Sequence, residues 1–261
     1  MPAPAFFHKA FAFRMNPIVV IPARMASTRL PGKPLAMIGK LPMILHVLAR
    51  ARAADIGPVI VAVAETELAR VVEDAGGTAV LTDPALPSGS DRVWQAVRAA
   101  DPAGRHDVVV NLQGDLPGVA PPTLAASLLP LADPATDIGT LVCPVADAGE
   151  AARDSVVKVA CAFADDDART VARALYFSRA AVPWGAGALW HHVGIYAYRR
   201  AALARFVSLP EAALERRERL EQLRALEAGM TIGCCRIGTA PFGVDTPDDL
   251  DRARRVMAEA A

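Results

Sequence analysis

Short apolar runs alternate with amphipathic stretches through the first half of the chain, and this alternation predicts successive βαβ units. "IVVI" (18–21) precedes a helical pattern from Met43 to Ala54, and "VIVAV" (59–63) precedes one from Glu67 to Ala75. "TAVL" (78–81) is followed by a helix from Asp91 to Ala100, and "VVVNL" (108–112) by one from Pro122 to Leu129. Uninterrupted apolar runs of this length fit strands buried on both faces, as in a parallel sheet.

After residue 135 the rhythm changes. "IGTLVCPV" (138–145) and "VVKVACAF" (156–163) predict strands with no obvious helix between them, and "WHHVGIYAYR" (190–199) predicts another. A helix from Arg219 to Ala228 and a strand "TIGCCRI" (231–237) follow. The last helix starts after "DTPDDL", where Thr246 suits the cap, Pro247 the first helical position, and Asp248 and Asp249 the positive end of the helix. The expected fold class is α/β: a mostly parallel, Rossmann-like sheet interrupted by a smaller antiparallel portion at about 138–230. One domain spanning 16–261 accounts for this, with no internal repeat or linker. Residues 1–15 read as a disordered leader, being basic, acid-free and too short for a transit or signal peptide.

Composition narrows the class. The chain has 261 residues, 53% of them hydrophobic, which is ample for a core. No apolar run approaches the ~18–20 residues that a membrane-spanning helix needs, so no membrane insertion is expected. Cys143, Cys161, Cys234 and Cys235 show no CxxC spacing, and His191 and His192 lack a third ligand at suitable spacing. Zinc is therefore not expected, and the thiols suit a reducing, cytoplasmic compartment.

Net charge is zero, but it is unevenly spread. Residues 1–54 hold eight Lys and Arg and no acid, leaving the remainder at −8. A confined cationic segment with only 5% aromatic residues points to a local anion site and away from nucleic acid. Three of those cations, Arg24, Arg29 and Lys33, follow the first strand in "PARMASTRLPGKP" (22–34), where Pro22, Pro31, Gly32 and Pro34 exclude a helix and leave backbone donors free. That is where an open α/β sheet meets phosphate, although the stretch matches neither GxxxxGK[ST] nor GxGxxG. A solvated basic loop is the plain alternative.

Other candidates gather around this loop only by inference. Asp115 in "NLQGDLP" (111–117) sits at the carboxyl edge of the fourth strand and suits Mg²⁺ beside phosphate, though Gly-Asp also makes ordinary turns. Asp245 in "GVDTPDDL" is either a second such carboxylate or a cap. "LPSGSDR" (86–92) offers Ser88, Ser90 and Arg92 to a nucleotide, or simply a helix start at Asp91. His191 and His192 point to opposite faces of their strand, so at most one enters a given cleft. Glu221 and Gln222 in "RLEQLR" (219–224) read equally as a solvated helix face.

Taken in order, "IPARMASTRLPGKPL", "SGSDR", "NLQGDLP", "ALYFSRAAVPW", "HHVGIYAYR", "LEQLR" and "GVDTPDDL" resemble the 3-deoxy-manno-octulosonate (Kdo) cytidylyltransferases from about Ile18 to the C-terminus. The resemblance implies transfer of CMP from CTP to the anomeric hydroxyl of an eight-carbon sugar acid, with release of pyrophosphate, in lipopolysaccharide synthesis. It implies a nucleotide-diphospho-sugar-transferase fold, an inserted dimerisation region and a homodimer. Arg24 and Lys33 would hold the CTP phosphates; Ser27, Ser88 and Arg92 would help bind the nucleotide; Arg29 would lie between nucleotide and sugar. Asp115 and Asp245 would coordinate Mg²⁺. Gln113, Arg179, His192, Glu221 and Gln222 would contact the sugar acid, with Arg179 facing its carboxylate.

Two departures stand out. The family's "QGDEP" is "QGDLP" here, with Leu116 in place of an acid, and its "ATD" after the second strand is replaced in "AVAET" (62–66). Both leave room for a variant sugar such as 8-amino-Kdo. CMP-sialate synthesis and a non-catalytic nucleotide-binding module are the other readings. Retention of Asp115, Asp245 and all three loop cations speaks against lost catalysis.

Overall fold

The first strand shows why the chain folds as it does. In the computed structural model, which describes residues 15–163 and 169–259, β1 (Pro17–Ala23) sends Ile18 and Val20 into one core and Val19 and Ile21 into another. A strand apolar at every position can be accommodated only in the middle of a sheet covered on both sides. β4 (Val59–Val63), β5 (Ala79–Leu81) and β6 (Val108–Asn111) join it in the parallel order β5-β4-β1-β6.

Helices cover both faces. α1 (Met43–Ala53), α2 (Thr66–Asp74) and α4 (Pro121–Ala126) pack Ile44, Val47, Leu68, Val72 and Leu124 against the Val19 face. α3 (Gly89–Ala100) packs Val93, Ala96 and Val97 against the Val20 face. Each such fully buried aliphatic side chain contributes roughly 1.5–3 kcal/mol.

The second half extends the same sheet. β10 (Trp190–Arg199) pairs antiparallel with β6 and with β7 (Ile138–Pro144), and β7 pairs in parallel with β11 (Ile232–Arg236). β9 (Val171–Ser178) and β8 (Lys158–Cys161) complete the nine-stranded order β5-β4-β1-β6-β10-β7-β11-β9-β8. The mostly parallel sheet expected from the sequence is therefore a mixed one. The parallel arrangement holds for the four strands at the N-terminal edge, where helical crossovers return each strand in the same direction. Beyond β6 the connections are of several kinds, and the strands expected to form a smaller antiparallel portion share the main sheet.

Several elements differ from the sequence reading. A short α5 (Ala148–Ala152) lies between β7 and β8, capped by Asp147 through the Glu150 amide. The helix expected over 219–228 starts later, as α8 (Gln222–Glu227), because Arg219 adopts a left-handed φ of 55°, and a further helix, α7 (Ala213–Glu218), precedes that residue. α6 (Arg200–Ser208) follows β10 directly. β2 (Met37–Ile38) and β3 (Leu41–Pro42) form a hairpin against which α9 (Pro247–Glu259) packs through Leu250 and Ala253, with Val244 ahead of the helix in the same small core. The leader expected at 1–15 lies outside the described residues except for Met15. No helix among the described residues is long and apolar enough to cross a membrane.

Candidate active site

At the carboxyl end of β1 the chain turns away from the sheet and forms an open cavity of about 360 Å³. Its wall includes Arg24, Ser27, Arg29 and Lys33 from the first loop, Ser88 and Arg92 from α3, Gln113 and Asp115 after β6, and Asp245 before α9. Four segments distant in sequence thus meet where a parallel sheet leaves its strand ends open.

The first loop is built by its prolines and one glycine. Gly32, at φ 68°, turns the chain back so that its amide reaches the Met25 carbonyl at 3.1 Å. A single 3₁₀ turn, Lys33–Leu35, follows, so helical structure is excluded only as far as Gly32. Gly114 lets the 113–115 segment lie against the end of β1: a Cβ there would stand 2.9 Å from the Pro22 carbonyl oxygen.

Lys33 ties the cavity together. Its Nζ is 2.7 Å from Asp115 Oδ2 and 3.0 Å from Asp245 Oδ1. Burial opposes its charge, but Asp115 and then Asp245 outweigh burial, and the pKa of Lys33 is raised. Asp245 reaches Asp115 because the Val244 amide donates to the Asp115 carbonyl at 2.9 Å. Asp245 is also free of the capping role, since Thr246 and Asp249 cap α9 between themselves. Arg29 Nη2 closes the rim, 3.2 Å from Asp245 Oδ1. Leu116, in place of the family's acid, packs toward Gly243 and serves this same contact between segments.

Arg92 is the buried cation of the site. Its Nη1 bonds the Thr82 hydroxyl and the Asp83 carbonyl, the latter at 3.3 Å. Burial lowers its pKa and the nearby charge of Arg24 lowers it further, against opposing contributions from Glu65 and Asp83. Two guanidiniums facing one cavity make a place for an anion. Ser88 caps α3, accepting the Asp91 amide at 3.2 Å and donating to Asp91 Oδ2 at 2.7 Å. The cap is therefore Ser88, with Asp91 three residues inside the helix.

The expected sugar-acid residues are not gathered in one place. Gln113 lines this first cavity. Glu221 lines a second one of about 730 Å³, which shares Ser88 with the first. Glu221 accepts the Ser90 hydroxyl at 3.0 Å through Oε2, while its buried Oε1 has no hydrogen-bond partner among the described residues. Burial raises its pKa against the Ser88 and Ser90 hydroxyls. Arg179, His192 and Gln222 line neither cavity. The Arg179 guanidinium donates to the carbonyls of Glu218 at 2.8 Å, Asp154 at 2.9 Å and Arg219 at 3.3 Å. His192 Nε2 lies 3.0 Å from Thr140 Oγ1, with Phe177 edge-on, and burial drives its pKa down to about 3. Gln222 is buried at the start of α8. His191 points to the other face, as expected, with Nδ1 2.8 Å from Glu150 Oε1.

One residue near the cavity escapes sequence reading. Glu65, in the altered segment after β4, accepts the Met25 amide at 3.0 Å through Oε1, and its buried Oε2 has no partner among the described residues. Its signal was an acid at a strand's carboxyl end next to the cationic loop.

An α/β sheet carrying a crevice of paired cations and convergent carboxylates defines a protein suited to polyphosphate chemistry. The chain belongs to the cytidylyltransferase family, whose model matches residues 18–232. It is 60% identical over 242 residues to the 3-deoxy-manno-octulosonate cytidylyltransferase of Rhodospirillum centenum, covering 93% of each chain. It is 56% identical over 243 residues to the enzyme of the same name from Parvibaculum lavamentivorans, again covering 93% of each. A solved structure of CMP:2-keto-3-deoxy-manno-octonic acid synthetase complexed with CTP matches with a TM-score of 0.85 and 38% identity, over 94% of this chain and all of that one.

Proposed function

We propose that this chain is a nucleotidyltransferase that moves CMP from CTP to the anomeric hydroxyl of Kdo, releasing pyrophosphate. The observation that carries the reading is the convergence of Arg24, Lys33 and Arg92 with Asp115 and Asp245 on one cavity at the strand ends. In line displacement at the α-phosphorus places negative charge on the phosphoryl oxygens and the leaving pyrophosphate. Cations gathered in one cavity stabilise that charge. We assign Arg24, Lys33 and Arg92 to this role, Ser27 and Ser88 to the nucleotide, and Arg29 to the rim between nucleotide and sugar.

Asp115 and Asp245 suit a hard divalent cation: Oδ2 of one and Oδ1 of the other already converge on a single ammonium. Two carboxylates, with waters and phosphate oxygens completing the shell, are a usual donor set for Mg²⁺. Mg²⁺ held there would supply Lewis-acid neutralisation of the phosphate oxygens and assist deprotonation of the attacking hydroxyl. Among the described residues, no group of three or more His, Cys, Asp or Glu is arranged to hold a metal, so the protein's share is these two ligands.

On the acceptor side we assign Gln113 and Glu221 to first contact. The Oε1 of Glu221, buried with no partner among the described residues, is an acceptor suited to a sugar hydroxyl. Arg179, His192 and Gln222 shape that side from within the fold. A homodimer and a cytoplasmic location complete the reading. The region 138–230 leaves Leu175 60% and Trp184 fully exposed, which suits a second copy, and the four free thiols suit a reducing compartment.

A pyrophosphate-release assay with CTP and Mg²⁺ across Kdo, 8-amino-Kdo and sialate tests the function. Kdo is expected to be turned over most efficiently; absence of release with all three would end this reading.

A further inference from the structure

The Lys33 ammonium stands at the point where a metal between Asp115 and Asp245 would have to sit. Its Nζ bonds one oxygen of each carboxylate, at 2.7 and 3.0 Å, and its side chain is only 17% exposed. Two cations cannot share that position, and among the described residues no third acid is grouped with these two to hold both. The stem of Lys33 is long and flexible, and the same cavity presents Arg24 and Arg92, which would gather a triphosphate within its reach. We infer that Lys33 is a resident counter-ion that competes with the divalent cation for Asp115 and Asp245, so that the protein without nucleotide holds the metal weakly. An incoming triphosphate gives the ammonium another anionic partner and frees both carboxylates as the metal arrives. This rests on the assignment of those two carboxylates to a divalent cation.

Arg29 also touches Asp245, but from an exposed rim position at 3.2 Å, and it makes no contact with Asp115. Its competition is correspondingly weaker, because a solvent-exposed ion pair contributes little.

The test is a Mn²⁺ titration without nucleotide, reading free Mn²⁺ by electron paramagnetic resonance. Lys33→Met is expected to bind Mn²⁺ about tenfold or more tightly than the wild type, the order expected when a partly buried competing charge is removed. Lys33→Gln should show the same gain, and it keeps the test available if the methionine variant folds poorly. Arg24→Met removes a cation from the same cavity without touching the carboxylates and should change affinity no more than about twofold. The gain should vanish in the double variant Lys33→Met/Asp115→Asn. Unchanged Mn²⁺ affinity in both Lys33 variants overturns the inference, as does an equal gain in Arg24→Met, which would indicate a general field effect. Wild-type turnover of CTP with Kdo, alongside unchanged Mn²⁺ affinity in the variants, would remove the counter-ion role and leave the proposed activity standing. Lack of turnover would remove the activity whatever the titration gave.

Discussion

Glu65 Oε1 accepts the Met25 amide at 3.0 Å, joining the end of β4 to the loop that carries Arg24. Its second oxygen is buried with no partner among the described residues, and its charge supports the Arg92 cation. The acid thus acts on the nucleotide side of the cavity without lining it. Glu65→Ala should weaken CTP binding about fivefold to tenfold, on the order of 1–1.4 kcal/mol, comparable to a lost hydrogen bond to a charged group. Glu65→Gln, which retains an acceptor for Met25, should recover part of this. Calorimetry with CTP alone checks it. Equal CTP affinity in all three proteins would show that Glu65 is incidental.

His192 sets a pH dependence. Its ordinary pKa of 6.5 falls to about 3 in the fold because burial excludes the charged ring. As pH drops below about 6.5 the unfolded chain takes up this proton and the folded chain does not until about 3, so stability falls with falling pH across that window. The slope is about 1.4 kcal/mol per pH unit from this group. His192→Asn keeps a donor for Thr140 and removes the titration. His191, also depressed by burial, still contributes in the same direction. Urea midpoints at pH 7, 6 and 5 should fall less steeply in the variant. Identical pH slopes would show that His192 is not held neutral.

Glu215 and Arg224 form the bidentate pair that binds α7 to α8, with Nε–Oε2 at 2.8 Å and Nη2–Oε1 at 2.6 Å. Burial tends to raise the Glu215 pKa, but Arg224 and the Ala212 amide outweigh it and hold it below 4.5. That stability is present above the unfolded pKa and is lost as pH falls through the folded one. Glu215→Gln leaves Arg224 without its counter-charge over the Phe206 ring, 5.3 Å from its centroid. A loss of about 2–3 kcal/mol is expected, below the full cost of breaking a wholly buried pair because both groups retain some solvent. Chemical denaturation measures it; a change under 0.5 kcal/mol would place the pair among ordinary surface contacts.

What the sequence made legible follows from range. β1, β4 and β6 are readable because a both-faces-buried strand must be apolar along its length, and each carries at least three consecutive apolar residues. β9 is not, since Val171–Ser178 places Arg173 and exposed Leu175 among buried residues and mimics a loop. Nothing in the identity of Arg219 announces a left-handed residue, so the helix reads as starting there and not at Gln222. At the site, the loop cations show in sequence because no acid stands near them. Their pairing does not: Lys33 meets acids 82 and 212 residues away. Arg179 and His192 carry the residue types of a sugar-acid contact, yet their hydrogen bonds within the fold emerge only from packing.

Gly114 shows how one of those distant contacts depends on the absence of a side chain. A Cβ at this position would lie 2.9 Å from the Pro22 carbonyl oxygen, 3.5 Å from Ile44 Cδ1 and 3.6 Å from Ile21 Cγ2. The first of these is backbone of β1, an interior strand, and cannot swing aside, so Gly114→Ala must push the 113–115 segment away from it. Asp115 moves with it, away from Lys33 and Asp245. Overpacking of this kind costs about 1–3 kcal/mol in stability. Misplacing a charge-bearing group at the reacting centre costs more in rate, so kcat/KM for CTP should fall about a hundredfold. Gly238→Ala serves as the control, because its Cβ would meet nothing within 4 Å and its backbone needs no positive φ. Steady-state kinetics beside thermal unfolding separates the two effects. If Gly114→Ala loses stability but keeps kcat/KM within twofold of the control, the position of Asp115 does not depend on this close approach.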